Sequence, residues 1–223
     1  MKKVLLAALI LALPSSSLMA ETIFFSGNLE TNANVTACGP GCTLSPATNT
    51  IYDYATWAAV VYDFTVYTAT TMEAITYSYG GGTSLTGVEV AAGGLEPYLS
   101  LFDSAGDFLD STYFATTCPT GAKKVGSTCD DVELNGGTLT PGTYQISISD
   151  YANASYAETG NISSTLANGF NGLGGLQGNE NLNYAFDVIL ATNTAPAPEP
   201  GTLFLTIAGI AAIALGSMKR RNR

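Results

Sequence analysis

The 223-residue chain contains no histidine, and that absence closes off a large part of enzymology. Ser-His-Asp and Cys-His nucleophiles, His-ligated zinc and a histidine general base are all excluded, so any catalysis must rest on carboxylates, tyrosines or lysines. Charge is scarce as well, at 12% of residues, and basic charge scarcer still, with 8 Lys and Arg against 18 Asp and Glu. Six of the bases lie at the two ends, leaving residues 21–195 with 17 acids against Lys123 and Lys124, a balance of −15. Such a segment cannot neutralise a phosphate backbone, so nucleic acid is excluded as a partner. The segment has no arginine and one tryptophan, Trp57. A catalytic sugar cleft ordinarily sets both residue types around its acids, so the composition argues against one.

The two ends are addressing segments. Lys2 and Lys3 precede the apolar run Val4 to Leu13, then Pro14, three serines and Met19-Ala20. This arrangement predicts a secretory signal peptide over 1–20, cut between Ser17 and Ala20. Ten apolar residues are too short to span a bilayer, which needs about 17 or more. At the other end, a linker over 192–200 closes on Pro198, Glu199 and Pro200. An apolar stretch from Gly201 to Met218 follows, and then the basic tail Lys219, Arg220, Arg221 and Arg223. Residues 201–223 are therefore expected to form a single transmembrane helix with its basic end in the cytoplasm.

That tripartite tail resembles the PEP-CTERM sorting signal. The resemblance implies export from a Gram-negative cell, transient anchoring in the inner membrane, and recognition by an exosortase-type membrane peptidase after passage through the secretion machinery. The final location it implies is the cell surface or the extracellular matrix, in association with exopolysaccharide. Within the body, Glu96 to Leu109 and Leu139 to Tyr144 resemble the secreted β-domains that often precede such tails, and more distantly the pre-peptidase C-terminal sandwich. Phe25 to Leu29 and Tyr184 to Val188 fit the same pattern. That family implies a non-catalytic module.

Periodicity in the body is of period two. Tyr62, Phe64 and Val66 alternate with Asp63 and Thr65; Tyr144, Ile146 and Ile148 with Gln145 and Ser147; Tyr184, Phe186, Val188 and Leu190 with Ala185 and Asp187. Further strands are predicted over 23–29, 72–79, 98–102 and 107–113, with no helical spacing between them. The expected fold of 21–191 is all-β, an antiparallel sandwich or jelly roll of about eight strands. Segments 31–55, 116–137 and 153–180 read as loops.

Four cysteines in an exported body form an even set, and three pairings are open. Locality favours Cys38 with Cys42 and Cys118 with Cys129. A four-thiolate zinc site is disfavoured, because the second pair lacks the spacing of a zinc knuckle. Asp103, Asp107 and Asp110 flank one predicted hairpin and Asp130, Asp131 and Glu133 form a second acidic group; either can offer oxygen ligands to Ca²⁺, although neither has the spacing of an EF-hand. No other cofactor and no catalytic residue is expected. The preferred reading is a non-catalytic surface or matrix protein. Its rival is a carboxylate-based glycoside hydrolase or lyase on the same scaffold.

Overall fold

The computed structural model describes residues 20–32, 59–151, 153–159, 164–170 and 180–192. The signal segment before Ala20, Cys38 and Cys42, Trp57, the Pro198-Glu199-Pro200 motif, the apolar stretch and the basic tail lie outside them. Among the described residues no helix is long and apolar enough to cross a membrane.

The fold is all-β and antiparallel. Strands β1 (Glu21–Asn28), β2 (Val60–Val66), β3 (Thr70–Thr76), β4 (Gly82–Thr83), β5 (Glu89–Val90), β6 (Pro97–Asp103), β7 (Phe108–Thr112), β8 (Glu133–Leu139), β9 (Gly142–Asp150) and β10 (Asn183–Thr192) run in chain order. One sheet has the order β1-β10-β3-β8, a second β2-β9-β6-β7, and β4 and β5 form a small hairpin. Alternation decides which side of each strand is apolar. The inward set of one sheet, including Met72, Ala74, Leu134, Phe186 and Val188, shares a single hydrophobic cluster with Val60, Phe64, Leu99, Leu101, Ile146 and Ile148 of the other. Burying each such side chain stabilises by about 1.5–3 kcal/mol.

The seven longer predicted strands all form, but segment 116–137 is not a loop throughout. Its last five residues belong to β8, which pairs with β3 from Thr70↔Leu139 to Ile75↔Glu133. The sequence Glu133-Leu134-Asn135-Gly136-Gly137 hides a strand because its glycine pair reads as a turn. The pair instead makes a bulge, where the register shifts between Met72 and Glu73. A side chain at Gly136 would approach Met72 Sδ to 2.7 Å and Leu101 to 2.9 Å, and Gly137 has φ 68°, so both positions need glycine.

Segment 153–180 is also more than a loop. It carries a one-turn helix (Tyr156–Thr159) and a 3-10 turn (Leu166–Asn168). Leu166 and Phe170 pack there with Phe102 and Ala59 in a separate apolar cluster. They cover the side of β6 that faces away from the main core, which is why all but the last residue of β6 is buried.

Candidate functional site

The acids of this body divide into those that pin loops, those that crowd one end, and one beside a groove. Asp131 is fully buried. Its carboxylate accepts the Thr76 hydroxyl at 3.0 Å and the amides of Tyr79 and Gly80 at 3.0 and 2.9 Å. Burial pushes its pKa up, and these bonds oppose the shift. The chain after β3 is thereby tied to the start of β8. Asp187, also fully buried, accepts the Tyr77 hydroxyl at 2.8 Å and the Leu85 amide at 2.6 Å on Oδ2, which ties the β4–β5 hairpin down onto β10. Its Oδ1 has no hydrogen-bond partner among the described residues. The Tyr77 phenol is pushed well above its usual range by burial first and by its bond to Asp187 second.

At the end of the body where β9 stops and β10 begins, carboxylates crowd together. Asp150 is 2% exposed. Burial, followed by the charge of Glu180, pushes its pKa up to about 8, with Glu96 adding a smaller push and the Tyr151 amide pulling the other way. Glu96 is raised by burial and then by Asp130. Of the two lysines among the described residues, Lys123 sits beside the hairpin, 3.7 Å from Glu89. Among the described residues no three His, Cys, Asp or Glu side chains are placed to hold a metal ion.

The groove lies between the hairpin and the outer face of β1. Phe24, Ser26 and Asn28 form its floor, Asn183 and Asn32 one end, and Val88 to Ala91 its wall, around a cavity of about 510 Å³. That volume falls in the range of small-ligand sites, about 300–1,000 Å³. Asn28 donates from Nδ2 to Asn183 Oδ1 at 2.9 Å and from its amide to Asn32 Oδ1 at 2.8 Å, so the amides are set relative to one another. Among the described residues that line the groove, Glu89 is the one carboxylate. It accepts the Thr83 hydroxyl at 2.6 Å and stands beside Lys123, both contacts being exposed and of little energetic weight. Amides, a hydroxyl, one half-exposed ring and a single acid suit a ligand rich in hydroxyl groups. Two-carboxylate hydrolysis would need a second acid across the groove.

The site residues expected from sequence fall elsewhere. Asp103 opens the β6–β7 turn: its Oδ1 accepts the amides of Ala105 at 2.9 Å and Asp107 at 3.0 Å, and Gly106 completes the turn at φ 84°. Asp110 accepts the neighbouring Ser111 amide at 2.8 Å. Asp103 therefore serves as a turn cap, and the acceptor matters more than the charge. Asp103→Asn, which keeps the acceptor, is expected to unfold within about 0.5 kcal/mol of the parent, whereas Asp103→Ala loses about 1–2 kcal/mol; urea titration of both variants checks this. Cys118 and Cys129 are joined in a disulfide with Cα atoms 5.4 Å apart, as locality predicts. Of the second acidic group, Asp131 is the buried loop anchor and Glu133 lies exposed on β8.

Asp187 and Asp150 escape a reading by alternation alone. Asp187 falls on the outward side of its strand, yet its neighbours of the same parity, Ala185 and Ile189, are apolar and signal a covered face. Asp150 continues the inward series Tyr144, Ile146, Ile148, so an acid at the inward register was the readable sign.

No protein-family model matches this chain, and no curated protein matches it either.

Proposed function

We propose that this chain is an exported, non-catalytic surface or matrix protein, whose two four-stranded sheets form a β-sandwich and whose Pro198-Glu199-Pro200 tail is a PEP-CTERM signal read by an exosortase-type peptidase. The observation that carries the non-catalytic part is the use of the buried acids. Asp131 and Asp187 are spent on backbone amides and hydroxyls, and the amide-lined groove holds one carboxylate among the described residues. The sorting part rests on the sequence: Pro-Glu-Pro, an apolar stretch and four bases, in that order. An acidic, base-poor body supports life outside the cell, where repulsion between neighbouring copies keeps it soluble.

Replacing Pro198 and Glu199 together with Ala is expected to leave the protein in the inner membrane at a higher mass than the parent. Fractionation followed by intact mass measurement reads both. Parent and variant of equal mass in the same fraction would remove the sorting reading and leave the sheets untouched.

A further inference from the structure

Three Asn-Gly pairs occur in the chain. Asn135-Gly136 lies in β8, Asn168-Gly169 closes the 3-10 turn, and Asn171-Gly172 lies outside the described residues. An asparagine followed by glycine is a chemically weak point, because no side chain shields the next amide nitrogen from the asparagine carboxamide and glycine lets the backbone turn toward it. Whether the fold holds that amide decides the outcome.

At Asn168 the fold holds both reacting groups. Asn168 Oδ1 accepts the Thr165 amide at 2.8 Å, which fixes the carboxamide against the start of the turn. The Gly169 amide, the nitrogen that would attack, donates to the Leu166 carbonyl at 3.0 Å, and the Gly169 carbonyl accepts the Tyr156 amide at 2.9 Å. Gly169 is also buried. Reaction there requires the turn to open first.

At Asn135 the same groups are loosely held. β8 is the last strand of its sheet, so β3 pairs with it on one side only. Within that pairing Asn135 stands opposite Glu73 and Gly137 opposite Met72, which leaves Gly136 without a partner residue at the bulge. The Asn135 side chain is exposed, and its carboxamide donates to Glu133 Oε1 at 3.2 Å.

We infer that Asn135 is a site of spontaneous modification, deamidating through a succinimide while Asn168 is preserved. The Gly136 nitrogen gives its proton to solvent base and attacks Asn135 Cγ; the N–Cγ bond forms, the Cγ–Nδ2 bond breaks, and ammonia leaves. Water then adds to either ring carbonyl. Opening at Cγ gives an ordinary aspartate, and opening at the main-chain carbonyl gives isoaspartate, whose backbone is longer by one carbon. Either product sets a carboxylate directly opposite Glu73, and like charges across a strand pair are destabilising. The added carbon of isoaspartate cannot be taken up inward, because a single atom built on Gly136 already meets Met72 Sδ at 2.7 Å and Leu101 at 2.9 Å. Modification therefore loosens β8 from β3.

The test incubates the full-length chain in detergent in mildly alkaline buffer and follows the conversion of amide to acid at each asparagine by peptide mapping and mass spectrometry. Asn135 is expected to convert at least about tenfold faster than Asn168, and the two to react within about threefold of one another in urea, where the fold protects neither. Asn135→Gln, whose extra methylene misplaces the carboxamide for ring closure, is expected to lose the reaction at that position. Hydrogen exchange in β8 is expected to rise about tenfold in the aged parent and to stay unchanged in the aged variant. Asn135 remaining intact in the folded chain while the urea-treated chain reacts overturns the inference, and so does Asn168 converting as fast as Asn135 in the folded chain. Exchange in β8 that does not follow conversion overturns the loosening of the strand.

Discussion

Replacing Asp131 with Ala is expected to lower the unfolding free energy by about 3–5 kcal/mol. The loss comes from three donors stripped of one enclosed carboxylate: the amides of Tyr79 and Gly80, and the Thr76 hydroxyl, which keeps only the Val132 carbonyl at 3.5 Å. Each buried donor stripped of its acceptor costs about 1–3 kcal/mol, and the three share one site, so the total falls below their sum. Asp131→Asn keeps one acceptor oxygen but turns an NH₂ group toward at least one of the donors, so it is expected to lose about 2 kcal/mol or more. Exposed Asp110→Ala should stay within about 0.5 kcal/mol of the parent. Equilibrium unfolding in urea compares all three; a loss under about 1 kcal/mol for Asp131→Ala would mean that water replaces the carboxylate and the site is open.

The protein is expected to lose stability as pH rises from 5 to 8, the reverse of what salt-bridged carboxylates produce. The sign follows from Asp150, whose folded carboxyl holds its proton up to about pH 8 against an ordinary value of 3.8. Between those limits the folded state binds more protons than the unfolded state. The slope of stability against pH is therefore negative, and the group's penalty is complete above pH 8. Glu96 and Asp131, also raised by burial, push in the same direction. Because Asp150 is 2% exposed, solvent screens it little and the effect is on the order of a few kcal/mol. Asp150→Asn keeps an oxygen for the Tyr151 amide while removing the charge. It is expected to stabilise the protein at pH 8 by about 2 kcal/mol and to flatten the slope. Thermal unfolding at pH 5 and pH 8 decides this, and a variant no more stable than the parent at pH 8 would show that Asp150 is ionised in the folded protein without penalty.

Strands with an unbroken alternation were legible because one sheet face meets the shared core: Tyr62-Phe64-Val66 and Tyr184 to Leu190 announce both their register and their inner side. β8 was not, because Gly136 and Gly137 are required by a bulge against Met72 and Leu101, contacts between residues far apart in the chain. The covering of β6 by Leu166 and Phe170 was likewise hidden, since a single helical turn and a 3-10 turn carry no period of their own. Of the site, the local pieces were readable: the Asp103 turn and the Cys118–Cys129 pair depend on neighbours in sequence. The amide groove was not, because it gathers residues from separate segments, and only pairing brings Asn28 opposite Asn183.

Strand β10 also gives the protein a mechanical character. It is laddered on both sides, to β1 from Asn28↔Asn183 to Glu21↔Leu190 and to β3 from Phe186↔Thr76 to Thr192↔Thr70. The acid-rich end, with Tyr151, adjoins its beginning, and the chain leaves from its other end at Thr192. A pull applied between its two ends runs along the axis of the strand. Ladder hydrogen bonds lie across that axis, so they resist sliding together instead of opening one after another. Under such a pull β10 passes its load to β1 and β3 at once.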